Sequence, residues 1–179
     1  MGRHYTLRGL LIVAAAFGIL AAGGRLSAQF PEPGPEHAML KAQEGEWDAI
    51  AKSPAGDSKG KLSVKMALNG LWMLEHYEGE AGGVKFEGRG MTSYDPKTKK
   101  YVNVWVDSMV TRPMVTEGTF DKAKKTLTFK GEMPTPDGKM ATATIAIQYK
   151  DANTKVLTLS AGAEGKDMQM VQITYTRRK

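Results

Sequence analysis

The sequence predicts an all-β fold, an antiparallel up-and-down barrel of about ten strands preceded by one short helix. Three observations carry this. From Glu46 onward apolar residues recur with a period of two. Turn clusters interrupt that pattern at intervals of about 8–15 residues. No gap between them holds a crossover helix, so a parallel sheet is excluded. A meander this long has two exposed edges unless it closes on itself, and closure removes them. A β-sandwich is the alternative architecture.

The chain has 179 residues, 41% hydrophobic and 25% charged, which fits one globular domain. It has no cysteine, so a disulfide framework, a thiolate metal site and a cysteine nucleophile are excluded. A mean hydropathy of −0.36 excludes a polytopic helical membrane protein.

Residues 1–28 read as a secretory signal peptide. Arg3, His4 and Arg8 precede an uncharged apolar or glycine run from Gly9 to Gly24, followed by small residues. Cleavage after Ala28 is preferred and cleavage after Gly23 is the second option. The run is shorter than the roughly 20 residues of a membrane span, which favours cleavage over an anchor. The predicted location is secreted or periplasmic, without stable membrane insertion after cleavage.

Residues 29–35 form a proline-rich lead. Pro35 opens a short helix, with Glu36 in its first turn and Met39 and Leu40 toward the core; Gly45 ends it. The barrel domain is residues 36–179. Its predicted strands are 46–52, 60–68, 71–79, 84–94, 100–108, 113–121, 126–133, 139–150, 155–161 and 167–177. Asn69-Gly70 is the sharpest hairpin signal between them. Leu62, Val64, Met66 and Leu68 share one face, and Phe86, Gly88, Gly90, Thr92 and Tyr94 share another. On the last strand the Met168, Met170, Gln172, Thr174 and Thr176 face is mixed and points to a semi-polar cavity.

Charge gives little. Removing Arg3, Arg8 and Arg25 from 25 basic residues leaves 22 against 19 acidic ones, a net of +3. Lysine clusters at 97–100 and 122–125 flank turn signals and read as solvated hairpin tips. No aromatic-interleaved basic stripe accompanies them, so nucleic acid is not a predicted partner.

Gly45-Glu46-Trp47, opening the first strand after a short helix, resembles the Gly-x-Trp motif of the calycin superfamily of lipocalins and fatty-acid-binding proteins. The resemblance implies a basic residue of the last strand over this tryptophan, and Arg177 is the match. Such a pair gains roughly 0.5–2 kcal/mol by cation–π attraction. A longer pattern runs through Phe86-Glu87-Gly88-Arg89-Gly90, Ser93-Tyr94-Asp95-Pro96 and Lys99-Lys100-Tyr101-Val102. It continues through Trp105-Val106-Asp107-Ser108, Glu117-Gly118-Thr119-Phe120 and Ile173-Thr174-Tyr175-Thr176-Arg177. Together these resemble the secreted bacterial domain-of-unknown-function family 1579, from about Glu36 to Arg177. Ser93 stands where that family usually has a second glycine, and a further acid near His76 is missing. The resemblance implies a calycin-like (lipocalin-like) barrel and brings no activity, cofactor or catalytic residue.

The chemistry-bearing residues suggest a pocket. Tyr101, Asn103, Trp105 and Asp107 share one face of their strand, with Val102, Val104 and Val106 on the other. If the polar face looks inward, Asn103, Trp105 and Asp107 join Glu75, Tyr77 and Glu117 around a small apolar or amphipathic molecule. Asp107 could instead cap a strand end. No motif points to catalysis: Glu75, Asp107 and Glu117 are acids without a defined separation. No cofactor is implied and no histidine pair has metal-ligand spacing. Two alternatives remain: a haem or tetrapyrrole binder through His76, and a filled barrel acting through its surface.

Overall fold

A computed structural model of the chain describes residues 30–135, 139–163 and 166–179. The proposed signal peptide therefore lies outside the described residues, as do Pro136-Asp137-Gly138 of one predicted turn.

Helix α1 (Pro35–Lys41) begins on Pro35, whose fixed φ and missing N–H suit a first helical position. Glu36 lies in the first turn and Lys41 in the last, each at the end the helix dipole favours. A seven-residue helix is not stable alone. It is held by burial of Leu40, which is fully enclosed, and of His37.

Ten strands follow among the described residues: β1 (Gly45–Ser53), β2 (Gly56–Ala67), β3 (Trp72–Ala81), β4 (Val84–Asp95) and β5 (Lys100–Asp107). The rest are β6 (Met114–Asp121), β7 (Thr126–Pro134), β8 (Met140–Tyr149), β9 (Thr154–Ala163) and β10 (Lys166–Arg177). Each pairs antiparallel with its chain neighbour, and β1 pairs with β10 from Trp47↔Arg177 to Lys52↔Gln172. The sheet is a closed barrel, not a sandwich. Pro31–Lys179 forms one compact unit.

The turns explain where strands outrun the prediction. Pro54-Ala55 suffices to reverse the chain, so β2 starts at Gly56 rather than residue 60. Gly82-Gly83, with φ of 59° and 80°, makes a two-residue turn whose twist matches the strands it joins. At Asn69-Gly70 the backbone is also left-handed, but Leu68 joins that turn and is exposed. It does not share the inner face with Leu62, Val64 and Met66.

Register fixes the faces. Leu62 opposes both Trp47 and Tyr77, and the inner set continues through Gly88 and Asp107. On β5, Tyr101, Asn103, Trp105 and Asp107 look inward. Its valines look outward, where Leu74, Met91, Val104 and Val115 form one apolar register row. On β10 the inner residues are Val171, Ile173 and Tyr175. Gln172, Thr174 and Thr176 pair with outward-facing residues of β9, while a register shift between Gln169 and Val171 sets Met168 opposite Ala161 in the other phase, so the five residues predicted together do not share one face.

Filling is uneven. Trp47, Leu62, Leu127 and Phe129 are buried, each contributing about 1.5–3 kcal/mol. Beside them on β8–β10, inward-facing Ile147, Leu157, Leu159 and Ile173 pack against this cluster but are only half-buried. An eight-stranded barrel is filled by its own side chains, and two further strands widen it.

Candidate functional site in the barrel interior

The interior is built around glycines that let large side chains lie flat on the wall. A Cβ at Gly88 would come within 2.1 Å of Trp105 Cζ2, and one at Gly90 within 3.1 Å of Trp105 Cε3. Trp105 thus lies across β4. Its indole Nε1 donates to Asp107 Oδ2 at 3.0 Å, and Asp107 Oδ1 accepts the Met109 amide at 2.9 Å. Asp107 is therefore an anchor for Trp105 and for the strand end. Tyr77 lies across Gly60 and Gly79 in the same way, with Phe86 edge-on at 5.8 Å. Asn103 Nδ2 donates to Thr92 Oγ1 at 2.9 Å, and neighbouring Thr116 has a buried hydroxyl without a partner.

Glu75 and Lys155 also face this interior. Glu75 is half-buried, and its Oε2 rests over Gly90 beside Trp105. Burial raises its pKa, opposed by the positive charge of Lys155. Lys155 is 4% exposed. Burial pushes its ammonium down to about 8, partly offset by Glu75. Its Nζ lies 4.5 Å from the Trp47 ring centroid and 5.4 Å from that of Tyr175. No hydrogen bond or ion pair reaches it among the described residues. Burial likewise raises the phenols of Tyr149 and Tyr175, with the Glu75 charge adding to the effect.

One end is closed by α1. Arg177 Cζ lies 4.1 Å from the Trp47 centroid, and its guanidinium donates to the carbonyls of Ala42, Glu44 and Ala152. Trp47 Nε1 donates to Gln43 O at 3.0 Å, so ring and guanidinium together pin the helix end to β1. Gly45 makes this possible: its φ is +130°, and a Cβ there would meet Arg177 Nη1 at 2.8 Å.

The family described as "Protein of unknown function (DUF1579)" matches residues 32–177. The chain belongs to this family. No curated protein matches it in sequence. Among solved structures it is similar to the S-type phycobiliprotein lyase CPES from Guillardia theta. Identity is 11% and the TM-score 0.56, covering 80% of this chain and 93% of the other. A de novo designed fluorescence-activating β-barrel gives 14% and 0.44, over 78% of this chain and 96% of its own. A redesigned β-barrel gives 11% and 0.41, over 83% of this chain and all of its own. At these identities the likeness concerns fold.

Within the DUF1579 barrel, Glu75, Tyr77, Asn103, Trp105 and Asp107 come together on the inner face. Glu117 does not. It stands on the outer wall, paired with Lys100 Nζ at 2.6 Å, because Thr116 and Gly118 take the inward positions of β6. His76 is also outside, with Nε2 3.0 Å from Glu87 Oε1 and 4.0 Å from Glu78 Oε1. Met73, Glu75 and Tyr77 occupy the inner phase of β3, so a haem inside the barrel could not take His76 as axial ligand.

Sequence reasoning missed Lys155, Tyr149 and Tyr175. A signal existed: Lys155 is in phase with Leu157 and Leu159, and Tyr175 with Ile173. The outer wall carries an open depression of about 630 Å³ over β1–β4. Lys61 stands there in register between Asp48 and Glu78, and Lys85 opposite Glu80, so its charges are internally balanced.

Proposed function

We propose that this DUF1579 protein is an exported, calycin-like carrier that holds a small amphipathic molecule inside its barrel. The observation that carries this reading is the half-buried apolar wall of Ile147, Leu157, Leu159 and Ile173 facing polar groups in the same interior. An apolar lining with a few convergent polar groups is how small-molecule sites are built. The Gly45–Trp47–Arg177 arrangement supports the calycin-like assignment. The basic start and apolar run of residues 1–28 support export, to the periplasm or the exterior.

Substituting Leu159→Trp tests for the space. A cavity accepts the larger ring at a stability cost below about 1 kcal/mol, whereas overpacking a filled core costs about 1–3 kcal/mol. Nile red should bind the wild-type protein saturably, one per chain, and lose that binding in L159W. Destabilisation of L159W together with no Nile red binding by the wild type would replace the carrier with a filled barrel.

A further inference from the structure

Lys155 is the unexplained group of the interior. A buried ammonium is costly unless a partner neutralises it. Here the ring faces of Trp47 and Tyr175 attract the cation without neutralising it. The facing carboxyl of Glu75 closes no ion pair with it and lies instead over Gly90 beside Trp105. The groups around Lys155 are few: Arg177 and Tyr175 on β10, Tyr149 on β8 and Glu75 on β3. Arg177 already donates to three backbone carbonyls. One ammonium, with Tyr149 and Tyr175 opposite it on the flanking strands, suits a singly charged planar anion. A phosphate dianion would need more donors and would be repelled by Glu75. Beyond Lys155 on the same face of β9 come Leu157 and Leu159, about 7 and 13 Å along the strand.

Resting on the carrier reading above, we infer that Lys155 anchors the carboxylate of an amphipathic monocarboxylate whose hydrocarbon body lies along Leu157, Leu159, Ile147 and Ile173. The ligand carboxylate supplies the direct contact that Glu75, turned over Gly90, does not make. Glu75 limits affinity, since its ionised form opposes a second carboxylate in the same space.

The test is calorimetric titration of the full chain, in the form its own cell processes, with three probes of one tail length: laurate, dodecanol and dodecyltrimethylammonium. Laurate should bind at least tenfold more tightly than dodecanol, and the cationic probe weakest. K155M should bring laurate down to the dodecanol affinity while leaving dodecanol unchanged, K155R should keep the preference, and E75Q should strengthen laurate several-fold. Equal binding of laurate and dodecanol by the wild type, or a preference that survives K155M, would overturn the anchor and leave the carrier standing. Tightest binding of the cationic probe would assign the head group to Glu75 and overturn it equally. Failure of all three probes, with no Nile red binding, would remove the carrier reading itself. K155M removes a buried charge, so its fold is checked by its melting curve, and K155R tests the anchor with the charge retained.

Discussion

Lys155 carries a stability cost that its position makes visible. The folded pKa is about 8 against an ordinary 10.5, so between these values the unfolded chain holds a proton that the folded chain has released. Stability therefore rises as pH climbs through that window, and the cost is fully present below it. Glu75 has the opposite sign: its folded carboxyl keeps a proton above 4.5, so stability falls as pH rises from there through the folded value. K155M is expected to raise stability at pH 7 by about 1–3 kcal/mol and to abolish the gain between pH 7 and about 9.5. Urea midpoints at the two pH values read both effects. A destabilised K155M would mean that the ammonium is satisfied where it stands.

The elements divide into those legible in the sequence and those that needed register. Strand existence, order and the Asn69-Gly70 turn follow from period-two patterning and turn chemistry, because local geometry alone dictates them. Facing does not follow where both faces are chemically similar. On β5, three valines opposed Tyr101, Asn103 and Trp105, and pairing with Gly88, Gly90 and Thr92 of β4 decided between them. On β6, the inward residues Thr116 and Gly118 are too small and polar to mark a core face, which is why Glu117 was misplaced. Lys155 stayed hidden because a lysine near a strand start reads as solvated, whatever its phase. The helix clamp is also an element-scale property. Arg177→Met removes donors to Ala42, Glu44 and Ala152 and a cation above Trp47, and should cost about 1–3 kcal/mol. Hydrogen exchange of the α1 amides should accelerate well beyond that of β6 and β7. Equal acceleration everywhere would mean that Arg177 supports the barrel generally rather than the helix.

At the scale of the whole molecule, ten strands close a barrel around one interior. A buried cluster that includes Trp47, Leu62, Tyr77 and Phe129 fills part of it. Ile147, Leu157, Leu159 and Ile173 pack against that cluster half-buried, with Lys155 and Glu75 facing the same interior, and this incomplete filling is what the carrier reading explains. Native mass spectrometry of the protein purified from its producer tests this most directly. The account predicts a chain beginning at Gln29 with a reproducible excess mass that dissociates as a single monocarboxylate. A bare chain that stays bare after incubation with laurate and a total lipid extract would contradict it.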